Sequence, residues 1–175
     1  VEKTDDCLSR PTNLEKIMNT NLITQVSAFI WQEADMLDHG EFQSWLEQWT
    51  ADGLYIIPID PLETDFLNTL NYAYDNHAMR EKRVYRLGSG ESISTVPTAR
   101  TIRTTSRFRI LEDSADRVTV RCAQNLCEFK KETIRHYSAD VTFELVKVGD
   151  SFKIDRKIIR LINADDALQG IAYIL

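Results

Sequence analysis

Asp35 and His39 stand four residues apart, the spacing that places two side chains on one face of a helix, and they are the strongest acid–base candidates in the chain. A carboxylate beside an imidazole could serve a dehydratase or isomerase as general base and orienter. The same residues also have an ordinary structural reading. Asp35, Asp38, His39 and Glu41 cluster where a helix should end, and such ends are commonly polar and solvated. The other histidines, His77 and His136, have no obvious partner nearby in sequence. A mononuclear iron triad would need two histidines and a carboxylate, and an iron–sulfur centre of mixed ligation would need paired CxH and CxxH motifs. Neither spacing occurs. Cys7, Cys122 and Cys127 form no CxxC pair and could hold zinc only with a distant histidine. P-loop, GxSxG and HExxH motifs are absent. No cofactor or metal is therefore expected on this chain.

The elements that must position these residues follow from periodicity. Thr12-Asn13-Leu14-Glu15 is a capping box, and Leu22, Val26, Phe29, Ile30, Ala34 and Leu37 recur at three- and four-residue steps as far as His39-Gly40. This predicts one long helix, with a possible break at residues 19–21. Phe42, Trp45, Leu46 and Trp49 predict a short second helix whose tryptophans pack in a core. Leu54-Tyr55-Ile56-Ile57 reads as a short strand closed by Pro58, residues 62–76 are irregular, and Met79, Arg83, Arg86 and Leu87 suggest a third helix ending at Gly88-Ser89-Gly90. Tyr55, Tyr72, Tyr74 and Tyr137 read as packing residues with wet hydroxyls.

Residues 99–162 then read as four long antiparallel strands. In the first, Ile102, Thr104, Ser106, Phe108 and Ile110 alternate with Arg103, Thr105, Arg107 and Arg109, the period of a half-buried strand with an arginine stripe on its other face. Turn residues at 112–116 and Gly149-Asp150 separate the strands. Strands much longer than about five or six residues must twist and coil. Helices first and a meander of coiled strands after them predict an α+β, cone-like fold: N-terminal helices packed in the concavity of a long, strongly curved, mainly antiparallel sheet. The apolar residues 171–175 should add a strand or dock on a neighbour.

With 175 residues and 43% hydrophobic content, the chain fits a single domain, which at this size buries about 70% of its unfolded surface. Residues 1–12 are expected to be loosely ordered. Net charge is −6, which argues against a nucleic-acid partner, but the charge is polarised. Residues 1–75 carry 14 acids and 3 bases, whereas residues 80–109 carry 8 bases and 2 acids. The basic segment calls for acidic company, from the chain's own helices or from another chain. No apolar run spans a membrane, no signal-peptide pattern opens the sequence, and the three cysteines read as free thiols, so a cytoplasmic location is expected.

These features in this order resemble a known family. Residues 29–38 with their Leu37-Asp38 ending, the tryptophan at 45, the Asp52-Gly53-Leu54-Tyr55 strand, Tyr74-Asp75, Arg83-Val84-Tyr85-Arg86-Leu87, Pro97-Thr98-Ala99-Arg100-Thr101 and Phe152-Lys153-Ile154-Asp155-Arg156-Lys157 together look like the small, or β, subunit of bacterial Rieske-type aromatic-ring-hydroxylating dioxygenases. Asn76, Ile102, Arg103 and Arg107 depart from the family's usual residues. The resemblance implies a nuclear-transport-factor-2-like domain over residues 1–175. It also implies a non-catalytic assembly role in aromatic catabolism, beside an α subunit that carries the Rieske cluster and the mononuclear iron and is driven by NAD(P)H. Three α would stand with three β, and a β trimer could form alone. Tyr74, Asp75, Arg83, Arg86, Arg100 and Arg103 are the expected contact residues, with inter-subunit ion pairs made by the arginines. The competing expectation is a stand-alone cone-fold lyase or isomerase using Asp35 and His39.

Overall fold

The computed structural model describes residues 13–89, 98–164 and 174–175. The expected N-terminal segment, Thr12 of the capping box, Cys7, the loop at 91–97 and most of the apolar tail lie outside the described residues. Helix α1 (Asn13–His39) runs unbroken through residues 19–21 and ends at Gly40, whose φ of +74° is the left-handed conformation that suits glycine after a helix. Its buried stripe is Val26, Phe29, Ile30, Glu33, Ala34 and Leu37, the 3.6-residue repeat with a carboxylate inside it.

Helix α2 (Phe42–Glu47) is shorter than its aromatic spacing predicts. Trp49 opens strand β1 (Trp49–Pro58) instead, so the predicted four-residue strand is ten residues long. Trp45 and Trp49 are both buried, as the sequence implied, and with Tyr55 they form edge-to-face pairs at 5.3, 6.3 and 6.4 Å. The segment read as irregular contains strand β2 (Asn71–Asp75), antiparallel to β1 and too short for alternation to reveal. Helix α3 (His77–Ser89) follows.

Strands β3 (Arg100–Asp113), β4 (Arg117–Lys130), β5 (Thr133–Val148) and β6 (Ser151–Leu161) form the predicted antiparallel meander. The full sheet has the order β2-β1-β6-β5-β4-β3, with β1 parallel to β6. The helix-facing side of β4 buries Val118, Val120, Cys122, Gln124, Leu126 and Glu128, every second residue. The helices sit in the hollow, with α1 against β3 and β6. The fold is the α+β cone expected.

One face assignment is corrected. Ile102 does not share the inner face with Phe108: it is 69% exposed, while Arg103 is buried. The cause is a bulge at Arg107, whose φ of 56° breaks the pairing between Ser106 and Arg109. One extra residue exchanges the faces, so Arg103 and Thr105 point inward before it and Phe108 and Ile110 after it. The arginine stripe is therefore split. A second slip, between Glu144 and Leu145 against β6, turns Lys157 into the cone.

Candidate functional site

The interior of the cone holds a closed ion pair. Lys157 Nζ donates to both carboxylate oxygens of Glu33, at 2.8 and 3.0 Å, and the Trp45 indole donates to the same carboxylate at 2.8 Å. All three side chains are fully buried. Burial pushes the Lys157 ammonium down from its ordinary pKa, and the Glu33 charge and hydrogen bond pull it back. The Tyr55 hydroxyl, expected to be wet, is instead dry: its pKa rises to about 12 through burial, and it accepts the Leu175 backbone N–H at 3.0 Å. Cys122 lies nearby, its thiol also raised to about 12 by burial and so inert.

A second cluster ties α1 to β3. Asp38 accepts hydrogen bonds from the Arg103 backbone N–H at 2.7 Å, from the Thr101 hydroxyl at 2.8 Å and from the Arg103 guanidinium. Arg103 thus finds its acid within the chain's own acidic half. Arg100, in contrast, is exposed and stacks over the Phe129 ring at 4.7 Å.

The third feature is open. A groove of about 860 Å³ runs between β2, the edge strand of the sheet, and α3. Its floor is Asp75, 2% exposed, whose carboxylate accepts from Arg83 Nε at 2.6 Å. Its walls are Tyr72, Tyr74, Met79 and Tyr85, and Lys82 and Arg86 stand exposed along it. Behind it the buried Arg80 lies over the Trp49 ring at 4.2 Å and donates to the carbonyls of Gly53 and Asp75. Gly53 fits closely there, since a Cβ would lie 3.0 Å from both the Ile154 carbonyl oxygen and the Trp49 ring and would press on them.

Four of the six residues singled out from sequence, Tyr74, Asp75, Arg83 and Arg86, therefore line one groove. Arg100 and Arg103 lie on β3, away from it. Asp35 and His39 are neighbours as predicted, with His39 Nδ1 3.3 Å from the Asp35 carboxylate and 2.9 Å from its carbonyl, but their side chains are 69% and 66% exposed. The hydrogen bond to the Asp35 carbonyl, then the Asp35 charge, raises the imidazole's pKa. His77 pairs with Glu81 on α3, and His136 is exposed on β5. Among the described residues no cluster of three metal-ligating side chains forms, and no helix is long and apolar enough to cross a membrane. Sequence reasoning missed Glu33, Lys157 and Met79. A glutamate inside the apolar stripe of α1 was the available signal for the first, whereas the slip that turns Lys157 inward leaves none.

Residues 32–165 match the family model described as the ring hydroxylating beta subunit. The chain belongs to this family. It is 27% identical over 143 residues to the β subunit of toluate 1,2-dioxygenase from Pseudomonas putida, covering 79% of this chain and 88% of that protein. It is 26% identical over 157 residues to the β subunit of benzoate 1,2-dioxygenase from Acinetobacter baylyi, covering 86% and 92%. The crystal structure of the benzoate 1,2-dioxygenase β subunit from Burkholderia mallei superposes with a TM-score of 0.68 at 27% identity, covering 85% of this chain and 95% of that one. A naphthalene 1,2-dioxygenase chain shares the fold at a TM-score of 0.77 and 17% identity, over 98% and 97% of the two chains. As a ring hydroxylating β subunit, the protein is a component of a dioxygenase, and the assembly reading is favoured over a lyase built on Asp35 and His39.

Proposed function

We propose that this β subunit acts mechanically, by holding together the terminal oxygenase of an NAD(P)H-dependent aromatic-ring dioxygenase whose Rieske cluster, mononuclear iron and active site lie on the α subunit. The β2–α3 groove is its docking surface. The observation that carries this reading is the contrast between the cone interior and the outer groove. The cone interior is filled by the chain's own Glu33–Lys157 pair, Trp45 and the backbone at Leu175. The outer groove is open, apolar on its tyrosine walls and bordered by the cations Lys82 and Arg86. Apolar anchors flanked by charge on an unpaired sheet edge are what a subunit contact uses.

Three β chains stand with three α in this reading, and the free β edge takes part in those contacts. Arg83 and Arg103 already have intramolecular acids and serve the fold, while Arg86 and Arg100 are exposed and open to a partner's carboxylates. The decisive test is purification of the untagged protein from its own cells. A large brown complex with a second chain bearing iron and sulfide is the expected result. A colourless assembly of this chain alone would overturn the proposal.

A further inference from the structure

Ile174 and Leu175 are each 1% exposed, yet they belong to no strand or helix. What holds them is recognition of their backbone. The Leu175 N–H donates to the Tyr55 hydroxyl at 3.0 Å, Lys157 Nζ donates to the Leu175 carbonyl oxygen at 3.1 Å, and the Arg103 guanidinium donates to the Ile174 carbonyl. The three holders come from β1, β6 and β3, and each is nine-tenths buried or more.

Each holder is also fixed from behind by something other than the dipeptide. Lys157 keeps both oxygens of Glu33, Arg103 keeps Asp38 and Thr101, and Tyr55 is wedged between the Trp45 and Trp49 rings. Emptying the site would leave neither cation without its counter-ion, the loss that makes most buried charges collapse a structure. The donors and the acceptor would stay aimed at the vacated space, the condition for a preorganised binding site. The surrounding wall is apolar: Ile174 and Leu175 belong to the same hydrophobic cluster as Leu37, Trp45 and Leu126.

We propose that the part of the cone interior framed by Tyr55, Arg103 and Lys157 is a binding site for a short apolar peptide, filled in cis by Ile174–Leu175 and able to take the same chemistry in trans. Its ligand class is an aliphatic dipeptide unit offering one amide N–H and two backbone oxygens. The site is separate from the outer groove and does not depend on the assembly reading.

The test is a chain terminated after Tyr173, melted by circular dichroism with and without the synthetic peptide acetyl-Ala-Tyr-Ile-Leu. Termination should lower Tm by roughly 5 to 10 °C, and millimolar peptide should restore it saturably. Adding Tyr55→Phe to the terminated chain should weaken the peptide about fivefold, the loss of one neutral hydrogen bond. Acetyl-Ala-Tyr-Asp-Asp should do nothing. If the terminated chain does not fold alone, refolding with the first peptide should recover it. A folded terminated chain that ignores the peptide, an equal response to both peptides, or no recovery on refolding would each overturn the proposal.

Discussion

Glu33 on α1 and Lys157 on β6, 124 residues apart in sequence, meet at 2.8 Å with neither side chain open to solvent. This pair pins the long helix to the centre of the sheet. Removing one partner leaves the other charged and buried, so Glu33→Leu or Lys157→Met should each cost about 3 to 5 kcal/mol, whereas the two combined should cost much less than the sum. Urea denaturation of the four proteins gives the cycle.

Tyr55 makes stability depend on alkaline pH. Its folded pKa, about 12, lies above the ordinary value of 10, so the unfolded chain releases this proton first. The stabilisation is complete below pH 10 and is lost as pH rises toward 12, with a slope of up to about 1.4 kcal/mol per pH unit. Denaturation midpoints of the wild type and Tyr55→Phe, compared from pH 8.5 to pH 11, should show a shallower decline in the variant.

The two aspartates near the end of α1 should behave oppositely. Asp38 satisfies a backbone N–H, a hydroxyl and a guanidinium, so Asp38→Ala should destabilise by about 3 kcal/mol. Asp35→Asn, on the exposed pair with His39, should leave the melting temperature and the activity of the complete oxygenase unchanged. Loss of turnover in the Asp35 variant would revive the acid–base reading.

Arg86 and Arg103 also separate. Charge reversal at exposed Arg86 should leave the chain's own melting curve intact and reduce co-purification of the iron-bearing partner at least severalfold. Reversal at Arg103, buried against Asp38, should lower the melting temperature of the isolated chain itself.

The hairpin between β4 and β5 turns on Lys131 and Glu132, both at positive φ, 48° and 62°. A two-residue turn of this hand favours Asn-Gly. Replacing the pair as Lys131→Asn with Glu132→Gly should raise stability by about 1 kcal/mol, read as a higher urea midpoint at unchanged m-value.

The chain's sequence by itself determined the order of the helices and long strands, the span of α1 and the family, because these rest on short-range periodicity, turn residues and motif order. It also brought Tyr74, Asp75, Arg83 and Arg86 forward, though only the fold gathers them in one groove. Period two states which residues share a face but not which face is inside, and a single bulge reverses the answer within a strand. The bulge at Arg107 buried Arg103 and exposed Ile102, and the slip opposite Leu145 aimed Lys157 at Glu33. Both buried ion pairs join residues more than 60 positions apart. Tertiary structure alone decided those partners, since a local pattern can mark a charge as inward, as Glu33 within the apolar stripe of α1, but cannot name the counter-ion it will meet in the core.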